Sequence, residues 1–154
     1  MRLVQEEVLR MSLVEILIVD DFEPWRQFLA ATLQKVPGLR VIGTASDGSE
    51  AVQKAEELHP DLILLDLCLP KMSGIEAARR IRIVAPVSRI LFVSETRDPD
   101  VVRAALGAGA CGYVLKSDAE PGLLDGIEAV LLGKKFVSRS LAQIDESADS
   151  PNKL

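Results

Sequence analysis

"DLILLDLCLPKMSGIEAARRIRIV" (residues 61–84) decides the reading of this chain. Its first half is a continuous apolar run broken by one carboxylate, Asp66, and halted at Pro70. Its second half, "SGIEAARRIRIV" (73–84), reads as a helix. This is a buried strand followed by an amphipathic helix. An ionised carboxylate at the end of an apolar strand is costly unless a cation, donors or water meet it. Asp66 therefore marks a surface crevice or has a partner.

The same unit recurs on both sides. "EILIVDD" (15–21) precedes "EPWRQFLAATLQKV" (23–36), where Trp25, Phe28, Leu29, Thr32, Leu33 and Val36 keep helical spacing and Pro24 suits a first helical turn. "RVIGTA" (40–45) precedes "GSEAVQKAEEL" (48–58), "RILFVSE" (89–95) precedes a helix opened by Asp98-Pro99, and "GYVLK" (112–116) precedes "AEPGLLDGIEAVLLG" (119–133), with Leu124, Ile127 and Leu131 at helical spacing. Five strand-helix pairs with near-continuously apolar strands predict a doubly wound α/β fold, a parallel sheet covered by helices on both faces. Residues 13–138 are expected to form this unit, with 1–12 as an extension and 139–154 as a polar tail or the start of a linker.

Bulk properties narrow the function. The chain has 154 residues, 48% of them hydrophobic, enough for one substantial core. A net charge of -5 gives no basic excess for nucleic acid or anionic lipid. Cys68 and Cys111 match no zinc spacing and are too few for a disulfide framework, which suits the cytoplasm. No apolar run reaches membrane-spanning length.

Parallel sheets of this kind carry their sites at the carboxyl ends of the strands. Those ends hold Asp20 and Asp21, then Asp66, Ser94 and Lys116, whereas the second strand ends in "TASDG". Carboxylates gathered at one crevice repel unless a cation sits among them, and an oxygen-only set points to Mg²⁺. A hydroxyl and an ammonium opposite them suit an anion. The set complements a phosphoryl group, with Asp66 as a nucleophile forming an acyl phosphate. Capping of the first helix is the alternative role for Asp20 and Asp21. Tyr113 has packing as its alternative, and His59, in "HPD", reads as a turn residue.

"ILIVDD", "HPDLILLDLCLPKMSGIEAARRIR", "ILFVSE" and "AGACGYVLKSD" together resemble the receiver domains of two-component response regulators, over roughly residues 14–137. "VVRAALGAGACGYVLKSDAEPGLLDGIEAVLLGKKFVS" is most similar to NarL/FixJ-type receivers. The resemblance implies a flavodoxin-like (βα)5 fold with strand order 2-1-3-4-5. It implies phosphorylation of Asp66 by a sensor histidine kinase and Mg²⁺ held by Asp20, Asp21, Asp66 and the backbone carbonyl of Cys68. Ser94 and Lys116 then bind the phosphoryl oxygens, and Ser94 with Tyr113 forms the switch. The signal emerges on the face of the fourth helix, fifth strand and fifth helix, a surface for possible homodimerisation. Any catalysis is limited to slow self-phosphorylation and autodephosphorylation, and transcription is the expected output if a DNA-binding domain follows. Leu69 and Glu95 depart from the common pattern, and Glu95 together with Cys68, two residues beyond Asp66, bears on phosphoryl lifetime.

Three rivals remain. A phosphohydrolase resembling the haloacid dehalogenases wants an acid two residues after Asp66, where Cys68 stands. A nucleotide or flavin binder wants a glycine-rich loop after the first strand, where "DDFEPW" stands. A receiver-like adaptor that works without phosphate does not need the intact acid cluster.

Overall fold

The structure, a computed structural model, describes residues 13–141. The expected extension at 1–12 and the tail residues from 142 onward lie outside the described residues. Strands β1 (Val14–Val19), β2 (Leu39–Ala45), β3 (Leu62–Leu65), β4 (Arg89–Ser94) and β5 (Gly112–Leu115) alternate with helices α1 (Glu23–Gln34), α2 (Gly48–Leu58), α3 (Gly74–Val84), α4 (Pro99–Gly107) and α5 (Ala119–Leu131). All strand pairs are parallel, in the order β2-β1-β3-β4-β5 as expected. One strand more than expected closes the edge: β6 (Phe136–Val137) pairs with β5. Two residues carry no readable periodicity, so this strand exists through its tertiary pairing. The packed chain also runs past the expected boundary at 138, because Arg139–Leu141 forms a 3₁₀ turn and Leu141 is 3% exposed within the core.

Alternate strand residues face opposite layers. Leu17, Ile63, Leu65, Phe92 and Tyr113 pack against α2, α3 and α4 through Ala51, Ala55, Ala77, Ala78, Ile81, Val102 and Ala105. Ile16, Ile18, Leu62, Leu64, Leu91 and Val114 meet Leu29 and Leu33 of α1 and Leu123, Ile127 and Val130 of α5. The buried stripe of α5 thus runs through Leu123 and Val130, one position before the expected Leu124 and Leu131. In α1 only Leu29 and Leu33 are fully buried, and Phe28 instead lies against Trp25 at 5.2 Å between ring centroids.

Local chemistry sets the helix ends. The Glu50 N–H donates to Asp47 Oδ1 at 2.8 Å, the Glu76 N–H donates to Ser73 Oγ at 3.3 Å, and the Asp100 N–H donates to Asp98 Oδ1 at 2.9 Å. Each side chain satisfies an N–H the helix itself cannot. His59 closes α2 in the left-handed region at φ 45, the turn role its sequence context suggests.

Candidate functional site

The site gathers where β1, β3, β4 and β5 end. Asp20 and Asp66 directly follow β1 and β3, Ser94 is the last residue of β4, and Lys116 directly follows β5. Asp20 is 1% exposed, Asp66 6% and Ser94 1%, whereas Asp21 is exposed. Each of Asp20, Asp21 and Asp66 places a carboxylate oxygen within 4.8 Å of those of the other two. That grouping suits a hard divalent cation.

Neither Asp20 nor Asp21 caps α1. Phe22 occupies that position without a side-chain cap, and Asp20 Oδ1 accepts the Phe22 N–H at 2.9 Å. Arg26 Nη1 donates to the Asp20 carbonyl at 2.6 Å, so the start of α1 holds the Asp20 backbone. This leaves Asp20 Oδ2, which is buried with no aligned hydrogen-bond donor. Its cationic neighbour is Lys116 Nζ at 2.6 Å, and the same ammonium lies 3.5 Å from Asp66 Oδ2. On its other side Lys116 Nζ sits 5.2 Å from the centre of the Trp25 ring, a cation-π contact.

Asp66 is held by its own loop. The Leu67 N–H donates to Asp66 Oδ1 at 2.8 Å. The Gly74 N–H donates to the Leu67 carbonyl at 2.8 Å, folding the start of α3 back beneath Asp66. A Cβ on Gly74 would stand 2.1 Å from the Asp66 carbonyl oxygen, so this approach needs glycine. Lys71 adopts φ 65 within the same loop, and Cys68 is exposed.

Electrostatics follow from burial. Desolvation pushes the Asp66 carboxyl up to about 6, with Asp20 adding to the rise, while the Lys116 charge, the Leu67 N–H and the Ser94 hydroxyl oppose it. Burial works against the charge of Lys116. The contact with Asp20 and the charges of Asp66, Asp20 and Glu95 outweigh it and hold the ammonium above its ordinary range. Tyr113 is raised chiefly by burial. Its ring is 0% exposed, lies 6.2 Å from that of Phe92, and its hydroxyl donates to the Thr96 carbonyl at 2.8 Å. The Thr96 N–H donates to Ser94 Oγ at 3.3 Å, so Ser94 and Tyr113 share Thr96, and the Ser94 hydroxyl also acts directly on that of Tyr113, opposing its rise.

Every acid, hydroxyl and amine picked out at a strand end thus falls at one crevice. Sequence reasoning missed the Trp25 ring against Lys116, the Arg26 brace and the need for glycine at 74, since all three depend on chain segments brought together by folding. Glu95 lines a cleft with Phe22, Trp25, Arg97, Lys116 and Ser117 beside the acids.

Residues 16–128 match the family described as "Response regulator receiver domain". The transcriptional regulatory protein LiaR of Bacillus subtilis (strain 168) is 38% identical over 130 residues, covering 84% of this chain and 62% of the relative. The nitrate/nitrite response regulator protein NarL of Escherichia coli (strain K12) is 34% identical over 129 residues, covering 84% of this chain and 60% of the relative. The chain therefore spans about three fifths of the length of these relatives. Among solved structures, a two-component response regulator of the LuxR family from Aurantimonas sp. SI85-9A1 superposes with a TM-score of 0.84 at 36% identity, covering 89% of this chain and 99% of that one. Among the described residues no helix is long and apolar enough to cross a membrane.

Proposed function

Because the chain belongs to the response regulator receiver domain family, we propose that Asp66 accepts a phosphoryl group from a phosphohistidine of a sensor histidine kinase in the cytoplasm. One Asp66 carboxylate oxygen attacks phosphorus in line, and the phosphorus–nitrogen bond to the imidazole breaks. The imidazole leaves with that electron pair and takes a proton from solvent, leaving an acyl phosphate on Asp66. The observation that carries this reading is the juxtaposition of three carboxylates with Lys116 at the strand ends.

The residues fit a divalent ion: three carboxylates bring oxygens within 4.8 Å of one another, and the buried Asp20 Oδ2 is met, among the described residues, by the Lys116 ammonium alone. Asp20, Asp21, Asp66 and the Cys68 carbonyl would hold Mg²⁺, which would supply neutralisation of the charge on the incoming phosphoryl oxygens. Lys116, already 3.5 Å from Asp66, and the Ser94 hydroxyl donate to those oxygens. Ser94 drawn toward the phosphoryl group pulls on Thr96, whose carbonyl holds the Tyr113 hydroxyl. That linkage supports a switch through Ser94 and Tyr113 that alters the α4-β5-α5 face, on which a second copy docks. Where a DNA-binding domain is joined to this chain, the output is transcription, in keeping with the names of its relatives. Self-phosphorylation and autodephosphorylation are slow.

Acetyl phosphate with Mg²⁺ is expected to add one phosphate to the peptide containing Asp66. The adduct should be cleaved by hydroxylamine and absent from Asp66→Asn. A mass spectrum with no such adduct, or with the adduct on another residue, overturns the assignment.

A further inference from the structure

The chain leaves the sheet immediately after β6. Its last ladder bond runs from the Ser138 N–H to the Tyr113 carbonyl at 2.8 Å. Beyond it the backbone turns into Arg139–Leu141, with the Leu141 N–H donating to the Ser138 carbonyl at 2.8 Å. The next β5 donor on this edge is the Leu115 N–H. Leu115 is 1% exposed, so that donor needs an acceptor from the protein. Ser138 Oγ supplies it at 2.7 Å, from a residue itself 1% exposed.

The place of this bond matters more than its existence. Leu115 is the register partner of Ser94 on one side and bonds Ser138 on the other, and Lys116 follows it directly. One peptide segment thus lies between the hydroxyl residue of the site and the point where the sheet ends. The Lys116 side chain must cross from this segment to Asp20 and Asp66, so a shift of the Leu115–Lys116 backbone displaces its ammonium from both acids. Alanine at 138 would remove the acceptor, whereas threonine keeps the hydroxyl.

We propose that Ser138 is a positioning residue for Lys116: its hydroxyl fixes the Leu115 amide and so aims the ammonium at the phosphoryl site on Asp66. This rests on the reading of Asp66 as phosphoryl acceptor. It goes beyond that reading by assigning a role to a segment that sequence alone placed at the end of the domain. The exit of the chain and the phosphoryl-binding lysine are then joined through one buried hydrogen bond, so movement at either end is felt at the other.

The test uses the full chain with ¹⁵N-labelled lysine. Loss of the Lys116 ammonium resonance in Lys116→Ala assigns that signal in the wild type. Ser138→Ala is expected to shift or broaden it, to speed hydrogen exchange of the Leu115 amide about ten-fold, and to slow phosphoryl uptake from acetyl phosphate and Mg²⁺ about five- to ten-fold, the size of one lost buried hydrogen bond. Ser138→Thr should restore all three. Should Ser138→Ala fail to fold, Ser138→Cys, similar in size but a weak acceptor, takes its place. An unchanged Lys116 resonance in the hydroxyl-free variant, or threonine no better than alanine, overturns the proposal. If the wild type takes up no phosphate, the reading of Asp66 falls, and the Lys116 resonance and its threonine rescue still decide the role of Ser138.

Discussion

The Lys116 ammonium lies 2.6 Å from Asp20 Oδ2, inside the group of acids. A cation bound by Asp20 must therefore compete with a resident one. Replacing lysine by the similarly sized but neutral Lys116→Met is expected to tighten Mg²⁺ binding about ten-fold, the scale of one removed charge contact in a partly screened site. The same variant should lose most phosphoryl uptake. Calorimetric titration checks the first expectation, and weaker Mg²⁺ binding in the variant would count against the competition.

The raised carboxyl of Asp66 fixes the sign of a pH effect. With its folded value at about 6 and an ordinary value near 3.8, the folded state holds more protons between those two points. Stability from this group is therefore present below pH 4 and lost as pH rises through about 6. At pH 7.5 without divalent ions, Asp66→Asn should be more stable by on the order of 2–3 kcal/mol. That advantage should fade at acidic pH. Urea melts of both proteins across pH 4–8, with EDTA present, measure it.

Gly74→Ala places a methyl group 2.1 Å from the Asp66 carbonyl oxygen, so α3 or the strand end must move. The expected loss is about 2–3 kcal/mol, at the upper end of ordinary overpacking, because the obstacle is backbone. Chemical denaturation gives the number. A variant as stable as the wild type would mean that the loop after β3 has room to yield.

Tyr113→Phe removes the hydroxyl that bonds the Thr96 carbonyl at 2.8 Å while keeping the buried ring. The loss should be modest, about 1 kcal/mol. Tyr113→Ala empties a fully buried aromatic position and should cost about 3–5 kcal/mol. If the linkage from Ser94 through Thr96 serves as the switch, Tyr113→Phe should also weaken any phosphorylation-dependent self-association, measured by sedimentation.

Sequence made the winding legible because the strands are near-continuous apolar runs, interrupted in β1 by Glu15 and in β2 by Arg40 and Thr44, and each helix keeps its own period. It made the candidate site legible because a parallel sheet brings the ends of distant strands together, so Asp20, Asp66, Ser94 and Lys116 could be grouped by position alone. What it could not carry were contacts with no periodicity. β6 is two residues long and exists through its pairing with β5. The role of Ser138 comes from an amide 23 residues away. The direction of Lys116, toward Asp20 more closely than Asp66, depends on how the turn after β5 leaves the sheet.

Trp25 is the single tryptophan of the chain, and its indole faces the Lys116 ammonium at 5.2 Å. The protein thereby contains its own optical probe of the crevice. Arrival of a cation or a modified carboxyl that redirects the lysine changes the electric field on that ring, so intrinsic fluorescence should follow occupancy in real time, without a dye or label.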